Sequence, residues 1–342
     1  MSNAKFILSK SKLLEQYNTL KELGIEVSYS YKTNREVGNI LQDSTDSKIS
    51  IHAEEEIDMI KDKNRISFFT QAESEQQLKE LIDKGIRDFV IDNEIDLSRL
   101  LNIIKQTKTS ISLSLRMKFQ EHRVGAGQYF VYGMSSYKVN EIIANIKDNP
   151  QIKALGIHTH RKSQNVTEWE IKQELEDSLT KTTLEAISFL NLGGGLPSMY
   201  RSYTAKVLPY IFSKIKETKE FLDNNNIKTI IEPGRFIAAP STKLETEIIQ
   251  INQNTIVVNT TIYNCALDTM IGHHKMLLEQ ESEEGQFYLI KGNSPTRDDI
   301  FRYKVKLNSP KVGDKLTFLN AGAYNYTTDF FGYKKLETKI VE

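Results

Sequence analysis

Between residues 25 and 235, short runs of β-branched and aromatic residues alternate with longer stretches of helical period, the grammar of βα units built around parallel strands. Eight runs read as strands: Glu26–Lys32, Lys48–His52, Arg65–Thr70, Ile86–Asp92, Ser110–Met117, Ile152–His160, Ala186–Leu192 and Ile227–Glu232. Helical spacing marks Ser74–Asp83, Glu94–Lys105, Glu168–Lys181 and Ala205–Asn224 in the gaps. Eight such units predict an α/β fold, a TIM-type (β/α)8 barrel. After Arg235 the pattern changes, and Lys243–Asn252, Thr255–Tyr263, Gln286–Lys291, Ile300–Leu307 and Lys315–Asn320 read as strands with almost no helix between them. The expected organisation is a barrel over 24–240 followed by an all-β domain over 241–342. Residues 5–23 are expected to join the second domain, because the Lys5–Leu8 run, ahead of a Ser9–Leu23 helix, can add a strand to it. The opening Met1–Ala4 reads as an expression-derived leader outside the fold.

Composition narrows the function classes. In 342 residues, 45 Lys and Arg balance 45 Asp and Glu, so there is no basic excess for nucleic-acid phosphates. No apolar run approaches the roughly 20 residues of a membrane span, and no signal-peptide core opens the chain; a cytoplasmic protein is expected. The single cysteine, Cys265, excludes an intramolecular disulfide framework and a cysteine-rich zinc site. Any metal would need His and carboxylates.

Catalytic groups of such barrels sit at the carboxyl ends of the strands, and four of these ends are chemically unusual. In the first strand, period-two alternation places Ser28, Ser30 and Lys32 on one face. If the serines point inward, Lys32 stands at the barrel mouth, where apolar walls would depress its pKa and make it an amine nucleophile toward a carbonyl; a surface lysine just past a strand is the plain alternative. The sixth strand ends in His158-Thr159-His160, either a metal-chelating pair or strand-end histidines held by the fold. The seventh runs into Gly193-Gly194-Gly195-Leu196-Pro197, a phosphate cradle of backbone amides or an ordinary tight turn. The eighth ends in Glu232-Pro233-Gly234-Arg235, a structural ion pair or, with a phosphate nearby, a guanidinium for it and a carboxylate left to face a cation. Together these ends meet the needs of pyridoxal phosphate: an amine, a stacking ring, phosphate donors and an acid for the pyridinium nitrogen.

Tyr29-Ser30-Tyr31-Lys32-Thr33-Asn34 resembles the Tyr-Ala-x-Lys-Ala-Asn signature of the fold-type III, alanine-racemase-like pyridoxal phosphate enzymes, specifically their ornithine/diaminopimelate/arginine decarboxylase group. That group's other marks follow in its order: Gly156-Ile157-His158-Thr159-His160 with Ser163-Gln164, then Leu192-Gly193-Gly194-Gly195-Leu196-Pro197, then Glu232-Pro233-Gly234-Arg235-Phe236, and finally Asn320-Ala321-Gly322-Ala323-Tyr324. The likeness runs from about residue 25 to 330. It implies a barrel that binds pyridoxal phosphate, a C-terminal β domain, and a head-to-tail homodimer with shared active sites. Carried over by position, Lys32 would be the Schiff-base lysine, His160 would stack on the ring and Glu232 would bind the pyridine nitrogen. Gly194, Gly195, Arg235 and Tyr324, with Ser163, would hold the phosphate. Glu56 takes the place of the acid in the family's Ala-Ser-x-x-Glu segment.

The departures concern the substrate. In these decarboxylases a Cys-x-x-x-Asp-like loop reaches in from the partner subunit. Here the matching stretch is Gly292-Asn293-Ser294-Pro295-Thr296-Arg297-Asp298-Asp299, with Pro295 at the cysteine position and Thr296 at the next acid; only Asp299 is kept. His52-Ala53 replaces the family's Ala-Ser, and Lys162 its glycine before Ser163. The expected activity is removal of the α-carboxylate of an amino acid or amino-acid conjugate, with Arg297 and Asp299 as candidate substrate contacts, no metal, and Lys32 or His160 as the Cα proton donor. A specialised siderophore, polyamine-like or peptide-nucleotide antibiotic pathway is expected. Rival readings are a racemase of the same fold, although those tend to carry arginine where Glu232 stands; a non-catalytic binder of the cofactor, against which Lys32 argues; and a metal-dependent hydrolase using His158 and His160. The chain is short for the group and ends in a charged strand, Lys334–Glu342, as one domain of a longer polypeptide would.

Overall fold

The structure is a computed structural model that describes residues 3–119, 132–325 and 332–342. Of the six histidines, His122 lies outside the described residues. The strands in chain order are β1 (Lys5–Ser9), β2 (Glu26–Ser30), β3 (Lys48–Ile51), β4 (Ile66–Phe69), β5 (Asp88–Ile91), β6 (Ile111–Lys118), β7 (Met134–Ser135), β8 (Ile152–Thr159), β9 (Phe189–Asn191) and β10 (Lys228–Ile231), followed by β11 (Thr242–Asn252), β12 (Thr255–Val258), β13 (Leu277–Leu278), β14 (Gln286–Lys291), β15 (Ile300–Leu307), β16 (Lys315–Leu319) and β17 (Glu337–Val341).

The first sheet runs β5-β4-β3-β2-β10-β9-β8-β6-β7 and closes on itself through β5 and β6, which pair in parallel from Asp88↔Ser112 to Ile91↔Leu115. The two-residue β7 only extends the end of β6, so eight parallel strands form the barrel. Its outer wall is apolar, as strands covered by helices must be: Ile49, Ile51, Phe68, Phe89, Ile91, Leu113 and Leu115 are all at most 1 % exposed. Small polar residues are buried with them, among them Ser28, Ser50, Ser67 and Ser114. Ser28 and Ser50 share a hydrogen bond of 2.7 Å between neighbouring strands. A serine-lined barrel leaves room and hydrogen-bonding capacity for the charged groups above it.

Helices α1 (Lys10–Lys21), α2 (Arg35–Ser44), α3 (Glu75–Asp83), α4 (Glu94–Thr107), α5 (Ser136–Ile146), α6 (Ile171–Ser178), α7 (Lys181–Ala186), α8 (Leu208–Asn224) and α9 (Arg235–Ser241) accompany the barrel strands, and the short α10 (Ile262–Cys265) and α11 (Leu267–Ile271) follow β12. The second sheet is mixed, in order β13-β16-β11-β12-β14-β15, with β1 antiparallel to β11 and β17 parallel to β1. The start and end of the chain are thus joined in one sheet.

Three local expectations change, each through a cap. The first strand stops at Ser30 rather than Lys32: Tyr31–Thr33 is a 3-10 turn, and the Asn34 side chain caps α2 by accepting from the Val37 amide. The single helix expected over Glu168–Lys181 divides at extended Leu179, because Thr180 caps a new helix through the Thr183 amide. The strand expected over Thr255–Tyr263 ends at Val258, and Thr261 with Asn264 forms a capping box that starts α10. Side-chain oxygens competing for backbone amides decide these boundaries, and apolar periodicity does not register them.

Candidate active site

The carboxyl ends of the barrel strands enclose a cavity of about 610 Å³, and Lys32, His160, Ser163, Gly194, Gly195, Glu232, Arg235 and Tyr324 all line it. They arrive from the β2 turn, the β8, β9 and β10 ends, and a segment after β16. Arg297 and Asp299 do not line this cavity.

Lys32 enters the cavity from the 3-10 turn, not from strand alternation. Burial lowers its pKa, and Arg116 adds to this, while Glu232 and Glu56 oppose it through space. A nearby amine with a weakened hold on its proton is a better nucleophile.

Glu232 follows β10 and is 7 % exposed. Its Oε1 accepts from Ser50 Oγ at 2.6 Å and Asn191 Nδ2 at 3.0 Å, and its Oε2 meets His158 Nε2 at 2.9 Å. Burial pushes this carboxyl up, but the charge and hydrogen bond of His158, with the Ser50 hydroxyl, outweigh it and hold the pKa at about 2. A carboxylate offers roughly four acceptor positions. Three are filled by the protein, which leaves one on Oε2.

His160 caps the β8 end. Burial, with His158 and Arg116, drives its pKa to about 3, so the ring is neutral. Its Nδ1 accepts the Gly194 amide at 3.2 Å. This corrects the role expected for Gly194: its N–H orients the imidazole and is not offered to a phosphate. Gly193 likewise gives its amide to Asn191 Oδ1 at 2.9 Å. The glycine run is required by crowding. Gly193 has φ +70°, and a Cβ there would stand 2.1 Å from the Thr159 carbonyl oxygen; one on Gly194 would stand 2.8 Å from that of Glu232, and one on Gly195, at φ +107°, 2.6 Å from that of Lys162.

Arg235 also departs from expectation. Its guanidinium forms a fork on Asp268, Nη1 to Oδ2 at 2.5 Å and Nη2 to Oδ1 at 2.9 Å, and Nη1 also donates to Tyr200 at 2.9 Å. Burial favours loss of its proton, but Asp268 overrides this and holds the pKa above the usual arginine value. Asp268 in turn is held below the usual carboxylate range, against burial, by His274 and Arg235. The charge of Arg235 is therefore matched within the protein. What it extends toward the cavity is Nε, 3.4 Å from Ser163 Oγ, with the Tyr324 ring 5.1 Å from its guanidinium carbon. Tyr324 itself is tied to the lysine turn: its amide donates to the Thr33 carbonyl at 3.0 Å, and Asn34 Nδ2 donates to the Gly322 carbonyl at 2.9 Å.

Asp299 proves to be a staple for its own loop. It is 0 % exposed, and its carboxylate accepts from the Ile262 amide at 2.8 Å and from the Ser294 amide and hydroxyl at 2.9 and 2.6 Å. It is not presented to a substrate; Arg297 on the same loop is exposed. Cys265 is buried with its thiol on the Thr261 carbonyl at 3.0 Å, and burial raises its pKa, so it is a packing residue.

Four site residues had no assignment from sequence, Ser50, Asn191, Arg116 and Asp268, and His158 was read as a metal-chelating or fold-held strand-end histidine rather than as the partner of Glu232. The available signal was a polar residue inside a short apolar strand, which must find a partner when buried; Asp268 gave no local signal, since its partner is 33 positions away.

Residues 10–239 match the pyridoxal binding domain of the pyridoxal-dependent decarboxylases. The chain belongs to this family. It is 22% identical over 288 residues to the diaminopimelate decarboxylase of Aquifex aeolicus, covering 77% of this chain and 66% of that protein. Against mouse ornithine decarboxylase it is 22% identical over 308 residues, covering 79% and 64%. The chain thus spans somewhat less than two thirds of the length of these curated relatives. Diaminopimelate decarboxylase from Helicobacter pylori, a mutant complexed with L-lysine, superposes with TM-score 0.85 at 18% identity over 100% of this chain and 92% of that one. Lysine decarboxylase from Selenomonas ruminantium gives TM-score 0.82 at 18% identity, covering 100% and 93%. At such identities the likeness establishes a shared fold, a barrel followed by a β domain.

The residues present fit the family's cofactor. Lys32 supplies the amine, and Glu232 keeps one acceptor position for a ring N–H. His160 is a neutral ring held by its edge. The Gly195 amide, Ser163 and Tyr324 offer neutral donors to a phosphate, and the amides opening α9 have no intrahelical acceptor.

Proposed function

We propose that this chain removes the α-carboxylate of an amino acid or amino-acid conjugate as carbon dioxide, with Lys32 as the amine that takes up pyridoxal phosphate. When bound, the cofactor supplies a conjugated ring that accepts the electron pair left at Cα. The observation that carries this reading is Glu232, an ionised carboxylate with its one uncommitted acceptor position in the cavity that Lys32 shares. An anion there holds a proton on the ring nitrogen, the condition for strong electron withdrawal.

The other residues bind, orient and move protons. Neutral His160, fixed by the Gly194 amide, would present a flat wall to the cofactor ring and limit how a substrate can be oriented against it. Between the two candidate proton donors, Lys32 is favoured. With a pKa of about 3, His160 carries no proton to give near neutral pH beyond its ring N–H, whereas burial loosens the proton of the lysine ammonium and makes it the easier one to transfer.

Pro295 and Thr296 stand where the family's cysteine and acid would be, which argues against a substrate with a plain distal amine such as ornithine or lysine and favours an unusual amino acid or a conjugate from a specialised pathway. The loop of 292–299 does not line its own cavity, in keeping with a homodimer in which it serves the partner's site. Loading the protein with pyridoxal phosphate and screening amino acids and conjugates by mass spectrometry for loss of carbon dioxide tests the function. Racemised but intact substrate, or no turnover of any compound, would overturn it. Solution mass tests the dimer.

A further inference from the structure

Glu232 is the acid of the site, but the group that aims it is His158. His158 is 1 % exposed at the inward face near the end of β8, with Nε2 2.9 Å from Glu232 Oε2. The other carboxylate oxygen is already saturated, since Ser50 Oγ and Asn191 Nδ2 both bond Oε1. Ser50 is fixed in turn by Ser28. Oε2 is thus the oxygen left to meet a ligand, and His158 occupies one of its two positions. We propose that His158 is a positioning residue: its Nε2–H locks Oε2 of Glu232 so that the remaining lone pair points at the cavity, where it receives the N–H of the cofactor's pyridine ring.

Two further observations favour this over a histidine that merely fills space. The Nδ1 atom is buried without a hydrogen-bond partner among the described residues, and so is Ser114 Oγ on the neighbouring strand. A histidine kept for packing alone would be better replaced by an apolar ring, because an unmet buried polar atom is costly. Retaining the imidazole makes sense through Nε2. The ring is also held in place by aromatic contact, with Phe69 edge-on to it at 5.0 Å and His52 stacked on Phe69 at 4.5 Å. An oriented donor on a rigid strand is how a supporting residue aims the group that touches the ligand.

The inference rests on the proposed cofactor chemistry only in its second half, and the test separates the two. His158→Gln keeps an N–H donor at the reach of Nε2. His158→Phe keeps the ring and loses the donor, and His158→Asn, whose amide stops short of Glu232, serves if the phenylalanine variant does not fold. In the cofactor-free protein, carbon-13 NMR of the Glu232 carboxyl follows its titration. We expect His158→Gln to stay near wild type and the donor-less variant to titrate at clearly higher pH. In protein loaded with nitrogen-15 pyridoxal phosphate, the ring-nitrogen signal should remain that of the protonated ring in wild type and His158→Gln. It should move to the unprotonated position without the donor, with kcat down about 10- to 100-fold. Unchanged signals in the donor-less variant, or equal loss in His158→Gln, would overturn the proposal. If wild type takes up no cofactor, the proposed function fails, while the Glu232 titration still decides whether His158 controls the carboxylate.

Discussion

Arg235 and Asp268 meet in a two-pronged ion pair, at 2.5 and 2.9 Å, that ties the turn after β10 to a short helix beyond β12. Both side chains are about 5–6 % exposed. Removing one partner of such a pair leaves the other charged and desolvated. Asp268→Ala is therefore expected to lose about 3–5 kcal/mol of stability, read by urea unfolding. It should also weaken pyridoxal phosphate binding, since Arg235 supports Ser163 and Tyr324.

Lys32 is the amine in the cavity, and its replacement has a covalent signature. Borohydride treatment of wild-type protein with pyridoxal phosphate should fix the cofactor on the peptide containing Lys32, seen by mass spectrometry. Lys32→Ala should show no such adduct, no absorbance from a lysine-bound cofactor and no turnover. A fully active variant would exclude the assignment.

Gly193 sits at φ +70° with the Thr159 carbonyl oxygen 2.1 Å from where a Cβ would be. Gly193→Ala must both strain the backbone and part the ends of β8 and β9. A loss of at least about 2 kcal/mol is expected in thermal or urea unfolding.

His52 and His160 are held neutral, with pKa values near 3 against an ordinary 6.5. Below pH 6.5 the unfolded chain binds protons that the folded chain refuses, so stability falls as pH falls from 6.5 toward 3. Glu232, depressed to about 2 from 4.5, has the same sign: its contribution is present above pH 4.5 and lost as pH drops toward 2. The urea midpoint of the cofactor-free protein should decline steadily from pH 7 to 4, and His160→Phe should flatten the decline.

Asp299 holds its loop by three hydrogen bonds, and the loop does not line the cavity of the same chain. Asp299→Ala should lower stability by about 1–3 kcal/mol through the unmet Ile262 and Ser294 donors, while leaving pyridoxal phosphate affinity within about twofold. Equilibrium dialysis measures the second part; a large loss of affinity would show that the loop supports the cofactor site.

The alternation of strand-like runs such as Lys48–His52 and Ile86–Asp92 with stretches of helical period already specified parallel strands covered by helices, and the count of eight pointed to a barrel, which the pairing of β5 with β6 closes. The sequence also determined where chemistry concentrates, since Lys32, the glycine run and Glu232 all follow such runs directly. Where capping side chains competed with periodicity, at Asn34, Thr180 and Thr261, the strand and helix ends moved. How the charges are spent follows from contacts made across the fold. Arg235 is matched by Asp268 from 33 residues away, Asp299 is consumed by its own loop, and Glu232 is aimed by donors on β3, β8 and β9. Hydrogen bonds and ion pairs depend on distances of a few ångströms between segments remote in sequence, whereas burial of a strand depends on its neighbours along the chain.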